Sequence, residues 1–442
     1  MVEMPMALLF FGIIGYCLWR TGGQYSELFV FCFVGAYVAY AARFLKGRSA
    51  AFKSEGLAYA VLIFFLICLM QKPFLLYASP GTALSVVRFS VGAALFCGAA
   101  LAFARYRDLS RTWWAAFGGL CVALAVARTA SLMASPEPII DVFSKTRLAI
   151  EYLVAGKNPY AQIYPVMYGG ALGDYTGFPY LPGVLYWGAP FHWVCRDFRV
   201  GYVVADIGSA LLLFAMARRG QLPARVAGLM SALWLAFPVS LLILEQSWTD
   251  TLLIFAAAAM FFAVNERRFF LAGMVAGFLV VVKQYGFFIP LLPLFWLWTA
   301  KREPDSAVRM TGALLLTSGL LLAPFLVIDA RVFIFNTIGA FGGLGMRPDS
   351  FSLIAWLHNR AGVEMPSAVS GVLYLAALVA VLWAVRRRSQ ADAPVAGLAV
   401  FFSLLFLFGR QAFCNYYQLV AYLVLAAGTM AGASSKVLTS RR

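Results

Sequence analysis

Apolar residues fill this chain in long blocks, many close to the roughly 20 residues a helix needs to cross a hydrocarbon core of about 30 Å. Segments such as VLIFFLICLM are apolar on every face. That pattern suits buried or membrane-spanning helices and not strands that alternate between lipid and a polar lumen. The runs and their breaks predict spans over 6–20, 25–45, 56–77, 82–104 and 112–134, then over 200–217, 224–244, 249–265, 269–283, 285–299, 307–328, 366–385, 393–410 and 415–434. The expected fold is all-α, a polytopic transmembrane helical bundle of about 14 spans. It divides into a five-helix membrane region at 1–134, an outer loop with juxtamembrane helices at 135–199, and a second membrane region at 200–442. The stretch 182–195 is too short for an ordinary span and is expected to be juxtamembrane or re-entrant. The first span lacks a basic n-region and a small-residue cleavage site, so it is expected to be a retained helix.

Composition agrees with this reading. Of the 442 residues 62% are hydrophobic and 12% charged, and the mean hydropathy is +0.82, which excludes an ordinary soluble domain. The net charge of +16, from 35 Lys and Arg against 19 Asp and Glu, collects between apolar runs. There it reads as a topology signal and not as a nucleic-acid surface. Arg43, Lys46, Arg48 and Lys53, then Arg105, Arg107 and Arg111, set two turns on the cytoplasmic side. Arg218, Arg219 and Arg225, Arg267 and Arg268, Lys301 and Arg302, Arg386 to Arg388, and Lys436, Arg441 and Arg442 continue the alternation. Both termini are expected inside. Seven cysteines lie in or beside apolar runs with no CxxC pair, so neither a disulfide nor a metal site is expected.

With that topology the other polar residues gather at the outer face. They are Asp141, Asp174, Glu245, Gln246, Asp250, Lys283, Gln284, Arg347, Asp349, Arg410, Gln411 and Asn415. Charges beside apolar spans are costly unless they pair or line a wet cavity, so an extracytoplasmic binding cavity is expected there, with the notable charges at span ends. Asp141 heads a helical pattern whose apolar side is Val142, Phe143, Ala149, Ile150, Leu153 and Val154, with Lys145 and Glu151 opposite. That suits a helix lying in the interface, with Asp141 in its first turn and Gly156 closing it. Tyr160, Tyr164, Tyr168, Tyr175, Phe178 and Tyr180 follow, as belt residues or ligand contacts. Lys283 stands at a helix break between two short runs, where it either snorkels or meets a phosphate. Arg410 suits bidentate phosphate contact or an interface anchor, and Arg347 and Asp349 are placed to pair with each other. His192 and His358 are too few for a His-based metal site.

Asp141, then Gly156, Asn158, Pro159 and Tyr160, then FPYLPGVLYW, follow one another in an order and spacing that resembles the GT-C glycosyltransferases that use polyprenyl-phosphate sugars, most closely the polyprenol-phosphomannose branch. In that family the essential acid usually follows the first helix, whereas here four further spans precede it, and a glycine is more frequent where Glu245 stands. The resemblance implies a membrane enzyme that transfers mannose or another sugar, with inversion, to a lipid-linked or envelope glycan on the outer side of the plasma membrane. It makes Asp141 the general base and gives Lys283, Arg410 and Arg347 the donor phosphate. Asn158, Tyr160, Tyr180, Glu245, Gln246, Asp250, Gln284, Gln411 and Tyr416 would line the substrates. No cofactor is implied, and a divalent cation stays open. The alternatives from another class are a multispanning transporter or flippase, a surface-glycan polymerase or ligase using a diphosphate-linked donor, and a scaffolding protein without activity.

Overall fold

The structure, a computed structural model, describes residues 6–47, 54–167, 175–340 and 345–439, the side chains only as far as 431. Arg48, Lys53, Tyr168, Asp174, Arg441 and Arg442, and the side chain of Lys436, lie outside the described residues. The first five helices are α1 (Met6–Thr21), α2 (Glu27–Leu45), α3 (Glu55–Gln71), α4 (Thr82–Tyr106) and α5 (Ser110–Ala134). The segment after α5 carries α6 (Asp141–Val154), a 3-10 turn at Pro159–Ala161 and α7 (Gly183–Cys195). Then come α8 (Arg199–Arg219), α9 (Ala224–Leu235), α10 (Ser240–Glu245), α11 (Asp250–Asn265), α12 (Phe269–Val280), α13 (Phe288–Thr299) and α14 (Pro304–Ile334). Last are α15 (Leu353–Ala361), α16 (Ser367–Arg386), α17 (Asp392–Leu407) and α18 (Cys414–Thr439).

Among the described residues six helical stretches are long and apolar enough to cross a membrane: Glu27–Leu45, Thr82–Tyr106, Ser110–Ala134, Arg199–Arg219, Pro304–Gly339 and Ser367–Arg386. Several others are apolar but shorter. The run expected as one span over 224–244 is two helices, because Pro238 has no N–H to continue the ladder and leaves a turn between α9 and α10. The segment 182–195 is a helix with Pro190 inside it. α14 bends at Asp329, whose backbone leaves the helical region while its carboxylate caps the amide of Val332 at 3.0 Å. It then passes into a π-helical turn over Phe335–Gly339.

Two packing features set the frame of the site. Gly273 and Gly277, four residues apart on α12, let that helix lie directly on α14: a Cβ on Gly277 would stand 2.7 Å from the carbonyl oxygen of Leu314. The other is a buried charge pair inside two of the long helices, away from the span ends where the notable charges are expected. Arg128 of α5 donates to Asp206 of α8 at 2.7 Å, with both side chains 1% exposed, and to the carbonyls of Leu124 and Leu235 at 3.2 and 2.8 Å. The neighbouring carbonyls and Asp206 together satisfy a guanidinium that the apolar interior would otherwise reject.

The first two helices pack against the last one. Phe29 and Phe33 of α2 meet the ring of Tyr417 at centroid distances of 4.8 and 4.7 Å, and Phe11 of α1 packs on Phe237 at 5.6 Å.

Candidate functional site

The site is built from helix ends and breaks, where backbone groups have no helical partner and side chains must supply one. α6 runs over Asp141–Val154 and ends at Gly156 with φ +72, a left-handed position that glycine takes without strain. Val142, Phe143, Ala149 and Ile150 are buried, as the pattern requires. Lys145 departs from it. Expected on the polar side, it is buried, with its ammonium donating to the carbonyls of Tyr175 and Gly177 at 2.7 and 3.3 Å and lying over the Tyr175 ring. The long stem and three donors of lysine let it reach both carbonyls of that loop. Burial pulls its pKa below the usual 10.5, and the carboxylate of Asp141, one turn earlier, pushes partly back. Val154 is exposed.

Asp141 itself occupies the first position of α6, half-buried. Tyr77, in the turn between α3 and α4, lies within electrostatic reach of both Asp141 and Glu245, and burial together with those two carboxylates raises its phenol.

The loop between α6 and α7 is clamped from two sides. Asn158 accepts from the amide of Tyr160 at 3.0 Å and starts the 3-10 turn. The Tyr160 hydroxyl donates to the carbonyl of Tyr180 at 2.9 Å. The Tyr175 hydroxyl donates to the side-chain oxygen of Asn336 at 2.7 Å, and the Asn336 amide donates to the carbonyl of Tyr160 at 2.8 Å. Burial pushes the Tyr175 phenol up to about 12, so it stays a donor. Gln284 donates to the carbonyls of Pro179 and Thr337 at 3.0 and 2.9 Å. The amide of Gly183 bonds the carbonyl of Val281 at 2.8 Å, an approach that leaves no room for a Cβ. The loop between α6 and α7 therefore sits on the break between α12 and α13 and on the π-helical turn that follows α14.

Glu245 and Asp250, at the end of α10 and the start of α11, are both sealed from solvent but differ in partners. Glu245 accepts from the amides of Leu76 and Tyr77 at 2.7 and 2.9 Å, from the Ser135 hydroxyl at 2.6 Å and from Gln246 at 3.2 Å. Those donors fix the α3–α4 turn and the end of α5, so the carboxylate anchors protein backbone. Asp250 instead receives the ammonium of Lys283 at 2.7 Å, the hydroxyl of Tyr285 and the side-chain amide of Asn415. The ammonium also faces the rings of Tyr416 and Tyr285, 4.3 and 4.9 Å from their centroids. Lys283, Asp250 and Tyr416, separated widely in the chain, thus form one cluster.

A second pair lies beside it. Arg347 holds Asp349 through two bonds, 2.7 and 2.6 Å, and its guanidinium stacks over Phe413 at 5.0 Å. The Arg347 amide bonds the carbonyl of Arg410 at 3.1 Å, and the Phe351 amide that of Ala412 at 2.7 Å, which clips this segment to the turn before α18. The Arg410 side chain is exposed and Gln411 half-buried. Residues 341–344, just ahead of this segment, lie outside the described residues. Among the described residues no three His, Cys, Asp or Glu side chains converge. A cavity of about 160 Å³, lined in part by Asn265, Trp296, Lys301 and Glu303, opens at the opposite ends of α11 and α12, far from this cluster.

Tyr285, Asn336, Thr337 and Ser135 were not among the sequence candidates. Tyr285 follows Lys283 by two residues, and that adjacency was the available signal. Asn336 and Thr337 sit in a π-helical turn beyond the end of the span expected over 307–328, in a stretch that hydrophobic periodicity leaves between spans.

No curated protein matches the chain. The model of glycosyltransferase family 87 matches residues 178–408, a segment that holds Pro179, Gly183, Glu245, Asp250, Lys283, Gln284 and Arg347. It takes in a little over half of the 442 residues, and the chain belongs to glycosyltransferase family 87.

Proposed function

We propose that this membrane glycosyltransferase moves one sugar, mannose or another hexose or pentose, from a polyprenyl-phosphate donor to a hydroxyl of a lipid-linked or envelope glycan, at the outer face of the plasma membrane and with inversion. The bundle, of GT-C type, crosses about 14 times with both termini inside, the shorter apolar helices completing crossings with their neighbours. The observation that carries the reading is that one loop joins an acid to a phosphate-binding cation. Residues 175–183 are held by Lys145, one turn after Asp141, and by Gln284, next to Lys283.

Asp141 takes the proton of the acceptor hydroxyl while its oxygen attacks the anomeric carbon. The bond from that carbon to the phosphate breaks on the opposite face, and polyprenyl phosphate leaves with the electron pair. Proton removal of this kind contributes about 10²- to 10⁴-fold, and Lys283, together with Arg410 and Arg347, offsets the charge on the leaving phosphate. Gln246, Gln411, Tyr180 and Tyr416 flank the sugar and acceptor. Asn158, Tyr160 and Glu245, whose side-chain oxygens are bonded to the protein, shape the walls.

A transporter would present charges along a wet path, whereas Arg128 and Asp206 are sealed against each other. The test is transfer of radiolabel from a panel of polyprenyl-phosphate sugars, mannose first, by membranes holding equal amounts of wild type or Asp141→Asn. Transfer by wild type and its loss in the variant is the expected result. Undiminished transfer by the variant removes Asp141 from the base role, and no transfer by either favours a diphosphate-linked donor.

A further inference from the structure

We infer that Asp250 is a positioning residue that holds Lys283 at rest, yields it to the donor phosphate, and takes it back to expel the polyprenyl phosphate that remains after transfer. This rests on the assignment of Lys283 to the donor phosphate. Asp250 is fully buried at the head of α11, whereas Lys283 is 9% exposed, so an anion arriving from the outer face meets the ammonium and not the carboxylate. Among the described residues one of the three N–H donors of Lys283 is engaged, on Asp250. The others face the π surfaces of Tyr416 and Tyr285, which accept a cation without competing for it as a second carboxylate would.

What makes an exchange feasible is the set of donors on Asp250. A buried carboxylate stripped of its only partner is strongly destabilised, and such a pair would not open. Asp250 keeps two further donors, the Tyr285 hydroxyl on one oxygen and the Asn415 amide on the other, from two separate elements. When Lys283 leaves, the negative charge stays hydrogen-bonded on both oxygens. The backbone need not follow, because Gln284 is pinned to Pro179 and Thr337, so the movement falls on the flexible lysine stem.

The exchange also gives turnover a direction. The donor is a phosphodiester with one negative charge, but the product is a monoester carrying about −1.5 to −2 at neutral pH, which a bare ammonium would retain. Competition by Asp250 for the same ammonium limits that retention.

The experiment measures binding of farnesyl phosphate, a short polyprenyl phosphate, in detergent micelles to wild type, Asp250→Asn, Tyr285→Phe and Lys283→Met. Asp250→Asn is expected to bind about tenfold more tightly than wild type, a shift of one decade in dissociation constant, and to show correspondingly stronger product inhibition. Tyr285→Phe removes a donor that the abandoned carboxylate needs, so it is expected to bind several-fold more weakly. A purely structural role would move both variants the same way. Equal or weaker binding by Asp250→Asn overturns the inference. If that variant does not fold, Tyr285→Phe decides alone, and unchanged or tighter binding there overturns it. Loss of binding in wild type itself removes the phosphate assignment on which the inference stands, whereas wild-type binding that survives in Lys283→Met removes Lys283 alone.

Discussion

The carboxylate of Glu245 stands 2.6 Å from the hydroxyl of Ser135, which joins the end of α10 to the end of α5 across 110 residues of chain. The same carboxylate holds two backbone amides of the α3–α4 turn. Hydrogen bonds to a charged group are worth about 1.5–3 kcal/mol each, and orphaned donors add a desolvation cost. Glu245→Ala is therefore expected to lower stability by about 3 kcal/mol or more, seen as an earlier thermal unfolding midpoint in detergent. A midpoint equal to wild type would show that water replaces the carboxylate.

The Arg128–Asp206 pair makes a sharper demand. Removing one partner leaves a buried, uncompensated charge, at a cost of about 3–5 kcal/mol. Arg128→Met is expected to insert and fold poorly, while the double variant with Asp206→Leu recovers most of the loss because no charge remains to be satisfied. Folded yield after purification reads both.

Contact between α12 and α14 depends on missing side chains. Gly277→Val places methyl groups where the Leu314 carbonyl lies, and overpacking of this kind costs about 1–3 kcal/mol. The expected result is a lower melting point together with faster proteolysis near the π-helical turn. Gly118→Val is the control, since a Cβ at Gly118 meets nothing within 4 Å.

One pH effect follows from Asp349. Its bond to Arg347 holds the carboxyl below its ordinary value of 3.8, so the pair adds stability above that value and loses it as pH falls through the lowered one. With 26% and 56% of the two side chains exposed, the contribution is about 0–1 kcal/mol. Hydrogen exchange at the amides of Arg347 and Phe351, compared between wild type and Asp349→Asn, is expected to differ above about pH 4 and to converge below it.

Most helices were legible in the sequence because a lipid-facing or buried helix writes its length directly as apolar residues. The predicted spans over 82–104, 112–134 and 366–385 differ from the helices only at their ends. α6, with its first-turn acid and closing glycine, was legible for the same reason of local pattern. What periodicity does not carry is which polar groups meet. Lys145 reads as solvent-facing until a loop 30 residues later offers it carbonyls. Arg128 and Asp206 read as interruptions of apolar runs until α5 and α8 are brought together, 78 residues apart. The pairing of Asp250 with Lys283 depends likewise on two helix ends whose meeting no local pattern records.

The seating of Phe29 and Phe33 against Tyr417 bears on how far this protein can be divided. Asn415 and Tyr416 lie just before Tyr417, past residue 408 where the family match stops, and α2 lies well ahead of residue 178 where it starts. A chain trimmed to the matched stretch would lack both the amide on Asp250 and the aromatic wedge that seats it. Shortening the enzyme, or grafting its central portion into a relative, therefore requires carrying the first two helices and the last one together as a single inherited piece.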